Sequence, residues 1–344
     1  MRKYLLGLAV ILLTGPLMVG VLRAGVVQLV DNHPDRHVVV KGDTLWDISG
    51  AFLKSPWLWP KVWSVNPQID NPHLIFPGDV IYLVWVNGQP QLRLDRGPRK
   101  LGPQVRRSPL DQAIKAIPLQ DIKSFLSDNL VLTKSVLEEA PYVIAGVNER
   151  IIAGAGDRIY ARGELPGNDQ NYYGIYRPAR IYKDPDTEEV LGYESKTIGG
   201  GYLVAVNDDI MTLTLKRTRE EVRKKDRVLP TLEEVIQSVF YPSAPEQEVN
   251  GKILSVLRGV TQIGQYDVVA INRGKREGMV PGHVLHVFRR GEVVKDPVNG
   301  EFVTLPSEKG GTIMIFKVFE KVSYALVMKA ENVLSVLDEV RTPN

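Results

Sequence analysis

Three regimes of apolar spacing divide the chain. Leu5 to Leu13 form an uncharged apolar run behind Arg2 and Lys3, and apolar residues resume past Pro16 as far as Leu22. Pro16 and Arg23 hold the clean run below the ~20 residues that a spanning helix needs. Residues 1–24 are therefore expected to be a secretory signal peptide, cut after Ala24, with Leu22 standing where a smaller residue would suit cleavage better. A compact unit follows from His37 to Leu83. It opens on the β-branched run Val38-Val39-Val40 and closes on Val80-Ile81-Tyr82-Leu83, and both read as strands. Between them Leu45, Ile48, Ala51 and Phe52 recur at helical spacing. Asp43 or Thr44 can cap that helix, with Asp47 in its first turn. A second helix is expected from Pro60 to Val65, stopping before Asn66-Pro67. The order is βααβ.

Past this unit the pattern dissolves and then changes period. Residues 85–118 carry Gly, Pro, Gln and Arg without periodicity, as in Gly97-Pro98-Arg99-Lys100-Leu101-Gly102-Pro103, and read as a Pro/Gly-rich linker. A short helix, Leu119 to Ser127, leads into strand-length runs punctuated by Gly and Asn-Asp turns. These runs repeat at an offset close to 112. Ile159 corresponds to Ile271, Tyr176-Arg177 to Phe288-Arg289, Lys183-Asp184-Pro185 to Lys295-Asp296-Pro297, and Asp226 to Asp338. The expected fold class is α+β: an N-terminal βααβ module over 37–84, then a mostly β C-terminal region of two duplicated subdomains. Residues 119–240 hold the helix and the first subdomain, and 241–344 the second. A helix near Leu232 to Val239 and the Pro-containing stretch Tyr241 to Val249 join them.

Charge and composition remove several functions. The 43 basic residues barely exceed the 40 acidic ones, and Arg2, Lys3 and Arg23 account for the excess. A neutral mature chain lacks the phosphate-neutralising charge that nucleic-acid binding requires. With no cysteine there is no thiol nucleophile and no disulfide framework. Of the five histidines, His283 and His286, with two residues between them, could in principle hold a metal, but residues three apart on a strand face opposite sides, which defeats joint ligation. No catalytic residue, metal or cofactor is therefore expected. Glu194-Ser195 lies in a Gly-rich strand region and reads as a surface ion, and the mixed-charge run Arg217 to Arg227 as a solvated face or hairpin turn, with a docking surface as its other use. Trp57, Trp59 and Trp63 read as core around a proline-stiffened turn, with sugar stacking as the other use of such a cluster.

One motif carries binding chemistry. Val38-Val39-Val40-Lys41-Gly42-Asp43-Thr44-Leu45-Trp46-Asp47-Ile48, then Asn66-Pro67, then Asn71-Pro72-His73-Leu74-Ile75-Phe76-Pro77-Gly78-Asp79, resembles the LysM module. That resemblance implies a glycan ligand containing N-acetylglucosamine, as in peptidoglycan. A shallow groove would offer backbone N–H and C=O to acetamide and hydroxyl groups and apolar side chains to the sugar's C–H face. Gly42, Asp43, Thr44 and Leu45 are expected on one wall, and Asn71, Leu74, Ile75 and Phe76 on the other.

End to end, the chain resembles the type IV pilus secretin-associated protein family. The tail motifs that carry this are Ala140-Pro141-Tyr142, Gly156-Asp157-Arg158, Tyr173-Gly174-Ile175-Tyr176-Arg177, Gly264-Gln265-Tyr266 and Val322-Ser323-Tyr324-Ala325-Leu326-Val327. The resemblance implies a periplasmic, non-catalytic scaffold with a C-terminal region like a flagellar T-ring component. Its partners would be peptidoglycan glycan strands and an outer-membrane secretin, with copies forming a homo-oligomer around the secretin ring. Two rivals stand beside it: an anchor for a different envelope complex, and a peptidoglycan hydrolase whose acids would come from Asp157, Glu194 and Asp267.

Overall fold

The computed structural model describes residues 27–63, 75–95, 129–147, 152–164, 171–231, 240–257 and 262–343. The expected signal peptide, Asn71 and Leu74, the linker beyond Asp95, and the helices expected over Leu119 to Ser127 and Leu232 to Val239 lie outside the described residues.

The N-terminal unit runs β1 (Arg36–Val38), α1 (Leu45–Phe52), a single 3-10 turn (Pro56–Leu58), α2 (Trp59–Trp63), β2 (Val80–Val86) and β3 (Gln89–Asp95). Thr44 caps α1: its Oγ1 accepts the Asp47 N–H at 3.1 Å and donates to the Asp47 carboxylate at 2.6 Å. Trp57, Trp59 and Trp63 are buried with Leu45, Ile48, Phe52, Ile75 and Ile81 in one core. β3 corrects the expected start of the linker. Asn87 and Gly88 both take positive φ (51° and 76°), the geometry of a tight hairpin turn, so the chain returns antiparallel along the whole of β2. Pro90 and Leu92 then alternate into the core beneath residues whose composition reads as loop. The unit is βααββ, with sheet order β1-β2-β3.

Two closed β units follow. The first contains β4 (Asn129–Leu132), α3 (Lys134–Glu139), β5 (Tyr142–Gly146), β6 (Ile152–Ala153), β7 (Arg158–Arg162), β8 (Tyr172–Lys183), β9 (Val190–Asn207), β10 (Ile210–Thr218), β11 (Val222–Arg223) and β12 (Arg227–Pro230). Its sheet order is β10-β7-β5-β12-β8-β9-β4, and pairing of β9 with β10 closes the first six strands into a ring. Ile159, Tyr173, Ile175, Met211, Leu213 and Val228 are buried in its core. The second contains β13 (Asn250–Val256), β14 (Gln262–Ile263), β15 (Val268–Ile271), β16 (Val284–Arg289), β17 (Val293–Lys295), β18 (Phe302–Thr304), β19 (Glu308–Val318), β20 (Ser323–Ala330), β21 (Leu334–Ser335) and β22 (Glu339–Arg341). Its barrel closes in the order β13-β15-β20-β19-β16-β22 around Ile253, Val269, Ile271, Leu285, Ile313 and Val327.

Strand pairing bears on the expected correspondence of Ile159 with Ile271. Ile159 stands opposite Gly146, whereas Ile271 stands opposite Ile253 and it is Val269 that stands opposite Val256. Tyr176 opposes Arg227 in the first ring, and Phe288 opposes Glu339 in the second.

One polar reading changes, and in a second, mostly exposed run a single acid is buried. The Arg217 to Arg227 run wraps around Arg177, whose Nε and Nη2 each reach a carboxylate oxygen of Asp226 at 2.8 Å while Nη1 meets Glu220 at 3.1 Å. Asp226 is only 3% exposed there, because the β11–β12 turn folds it under the sheet. Glu194 is not a surface ion. β4 lies along β9 and leaves the Glu194 side chain 12% exposed, accepting from Asn129 Nδ2 at 2.9 Å and Tyr182 Oη at 3.1 Å.

The two barrels are joined by the β8–β9 hairpin. Tyr182 and Leu191 are buried in the same cluster as Val268, Ala270, Met314, Tyr324 and Leu326 of the second barrel, the face opposite that barrel's interior. At the hairpin tip the Asp184 carboxylate accepts the N–H groups of Asp186 and Thr187 and the side-chain amide of Asn272. Burial raises the Asp184 pKa, but these donors and Arg273 outweigh it, and the net shift is downward. Lys252 pairs with Asp186, while Arg276 (2.9 Å) and Lys321 (2.6 Å) both reach Glu189.

Candidate glycan-binding face

Two short turns meet at one end of the N-terminal sheet. In the first, the Asp43 N–H donates to the Val40 carbonyl at 3.2 Å and the Val40 N–H to the Asp43 carboxylate at 3.0 Å. His37 Nε2 lies 2.8 Å from the same carboxylate oxygen and braces the turn from β1. In the second, Asp79 repeats the device: its N–H donates to the Phe76 carbonyl and its carboxylate accepts the Phe76 N–H, both at 3.0 Å. Val39 clamps the turns together, accepting the Gly78 N–H at 2.8 Å and donating its own to the Asp79 carbonyl at 2.9 Å.

This geometry sorts the sequence-predicted residues. Gly42 and Gly78 take positive φ (106° and 94°), and a Cβ at either would meet nothing within 4 Å. Bare backbone with open space beside it is what a sugar acetamide needs for close approach. Phe76 is half-buried and offers apolar surface next to Gly78. Asp43 shapes its turn. Thr44 is buried and committed to the helix cap, so it supports the face rather than lining it. Leu45 and Ile75 are corrections: both are fully buried, because the same apolar residues that flank the turns anchor α1 and β2 to the core. Asn71 and Leu74 lie outside the described residues. Gly78 and the exposed Val40 lie on the same two turns and were not among the expected site residues, although the Pro77-Gly78 turn signal was available.

Residues 37–84 match the family model of the LysM domain. This part of the chain is a LysM domain. Such domains bind the glycan strands of peptidoglycan, and among the described residues of this one the two clamped turns leave open space beside Gly42 and Gly78. The match covers well under half of the chain. The chain is also similar to the uncharacterized protein YqbP of Bacillus subtilis (strain 168), 42% identical over 55 residues, which is 13% of this chain and 25% of that one. The chain thus spans about a quarter of the length of the curated relative it matches.

Outside the LysM domain, the three acids weighed for hydrolysis are held apart. Asp157 accepts the Gly154 N–H and Asp267 the Gly264 N–H, each closing the same kind of turn in a different barrel, and Glu194 is bound to Asn129 and Tyr182. A cavity of about 310 Å³ lies in the second barrel against Pro245, Glu246, Gln247, Glu277, Gly278, Val280 and His283. Burial lowers the His283 pKa, with Glu246 acting the other way, and its Nδ1 faces the Val280 N–H at 3.4 Å. His286 points elsewhere, to Lys309.

Proposed function

We propose that this chain is an exported, non-catalytic wall anchor. Its LysM domain would hold N-acetylglucosamine-containing glycan at the face of Gly42, Gly78 and Phe76, and its barrels would carry an outer-membrane secretin of the type IV pilus in the periplasm. The observation that carries the glycan half is the clamping of two open glycine turns by Val39 beside a half-buried aromatic ring. The non-catalytic half draws on Asp157, Asp267 and Glu194, which are spent on turns and on an interstrand contact. The secretin half draws on the tail motifs, of which Gly156-Asp157-Arg158 and Gly264-Gln265-Tyr266 fall on one turn of each barrel. We also read the two barrels as copies of a duplicated unit, since each ring visits its six strands in the same chain order, fifth, second, first, sixth, third, fourth. A shallow sugar face binds weakly alone, and several copies around one secretin would gain ~10²–10⁴ in avidity.

Sedimentation with purified peptidoglycan tests this reading. Wild type is expected to pellet, and Phe76→Ala or Val40→Asp to bind roughly tenfold more weakly, with circular dichroism confirming that each variant folds. A wild-type protein left in the supernatant overturns the glycan assignment. Soluble sugar fragments released from the pelleted wall would mark a hydrolase instead. Capture of envelope extract on the immobilised protein decides the partner: no secretin recovered leaves an anchor for a different complex.

A further inference from the structure

The outer surface of the first barrel carries a row of side chains that its core does not account for. Ile159, Met211, Leu213 and Tyr173 are buried inside the ring, so their neighbours along each strand point outward. Arg158 on β7 stands opposite Thr214 on β10, Thr214 opposite Tyr202 on β9, and Tyr202 opposite Tyr172 on β8, a row that crosses four strands. Tyr160 and Thr212 face each other in the next outward pair. Tyr202 is 48% exposed and Arg158 is exposed, while Tyr160, Tyr172, Thr212 and Thr214 are half-buried.

Two features separate this row from an ordinary solvated sheet face. The first is a preset aromatic step. The Tyr172 ring lies across Gly200, where a Cβ would stand 2.7 Å from its Cζ, and it packs edge-on against Tyr202 with ring centroids 5.1 Å apart. Held this way, the pair loses little freedom when something stacks on it. Tyrosine faces beside threonine hydroxyls match a sugar, whose C–H face covers a ring while its hydroxyl and acetamide groups find hydrogen-bond partners. The second feature is charge. Arg158 at one end of the row and Lys216 further along β10 are exposed, and neither has a carboxylate partner among the described residues. The nearby acids are placed elsewhere: Asp157 closes its own turn, and Asp208 and Asp209 lie in the β9–β10 turn at the other end of these strands, where Asp209 pairs with Arg162.

We propose that this row is a second glycan-binding face, and that its ligand is a sugar strand bearing carboxylates, as peptidoglycan does through its lactyl groups and stem peptides. The Tyr172–Tyr202 step stacks on a sugar ring, Thr212, Thr214 and Tyr160 meet its polar groups, and Arg158 and Lys216 pair with the carboxylates. Charge complementarity selects this occupant over a neutral polysaccharide. Two weak faces on one chain that hold one polymer raise each other's effective concentration, so the wall is gripped more firmly than by either face alone. The inference rests on the wall as the ligand of this chain, and it concerns a face separate from that of the LysM domain.

Sedimentation with protein-free peptidoglycan separates the two faces in the full-length chain. Four forms are compared: wild type, a LysM-face form (Val40→Asp with Phe76→Ala), a barrel-face form (Arg158→Gln with Tyr202→Ala) and one carrying all four changes, each checked for folding by circular dichroism. The barrel-face form is expected to bind roughly tenfold more weakly than wild type, as loss of one stacked ring does. The LysM-face form should keep a residual binding that falls as salt is raised, because exposed charges are screened, and that the fourfold form lacks. A barrel-face form that pellets as well as wild type overturns the proposal; if it also captures less protein from envelope extract, the row belongs to a protein partner. LysM-face and fourfold forms that bind alike overturn it too. LysM-face changes without effect, beside a barrel-face form left in the supernatant, remove the LysM assignment and leave this one standing. A wild type that does not pellet removes both.

Discussion

His286 shows how a single residue can tie the second barrel to pH. Its Nε2 lies 3.0 Å from Lys309 Nζ, so the ammonium donates to a neutral ring. Burial, and next the Lys309 charge, push its pKa down from the ordinary 6.5 to about 4, with Glu331 pulling the other way. The unfolded chain takes up this proton first as pH falls. The stability held by the neutral ring is therefore present above about 6.5 and lost between there and about 4. Thermal unfolding of the wild type should weaken across that window by about 1–2 kcal/mol once screening of a partly exposed ring is allowed for. His286→Gln should flatten that part of the profile; an unchanged slope would assign it to other groups. At this scale the sequence was legible where a residue has one local job. Thr44 and Asp47 cap a helix whoever their neighbours are. Glu194 and Asp226 were misread because a distant strand or turn, not their own neighbours, takes them out of water.

Among the elements, β3 is the least legible from sequence and the easiest to test. Its composition of Gln, Pro and Arg reads as linker, yet Asn87-Gly88 turns it back along β2 and Leu92 lands fully buried in the LysM core. Leu92→Ala should destabilise the LysM domain by about 2–4 kcal/mol, the cost of a core cavity. Urea unfolding of full-length protein, followed by tryptophan fluorescence, reads this directly, since Trp57, Trp59 and Trp63 share that core. A change below about 0.5 kcal/mol, the usual effect of a surface substitution, would return β3 to the linker. The β8–β9 and β17–β18 hairpins make the same point from the other side. Their turns were visible as Asp184-Pro185 and Asp296-Pro297, but alternation cannot say that one buries its apolar residues and the other does not.

For the whole molecule, Tyr182 is the test of whether the barrels unfold as one. Its ring is buried against the second barrel, its hydroxyl donates to Glu194 and lies 3.5 Å from Ser255, and burial, followed by the Glu194 charge, raises its pKa. Tyr182→Ala removes that plug and leaves Leu191, the Asn272 to Asp184 hydrogen bond and the exposed ion pairs of Asp186 and Glu189, the last of which are worth little alone. Calorimetry is expected to show one shared barrel transition in wild type and two separate ones in the variant; a single transition in both would place the coupling elsewhere. The sequence by itself determined the LysM domain, its helix cap, its tight turns and the mostly β character of the rest. Each of these follows from spacing, capping and turn chemistry acting within a few residues. Only the tertiary structure decided that Leu45 and Ile75 are buried in the core, that six strands close into each ring, and that the β8–β9 hairpin is docked while the β17–β18 hairpin leaves Val298 and Phe302 exposed. Those outcomes depend on which distant surface arrives to exclude water, and a local pattern does not encode the arrival.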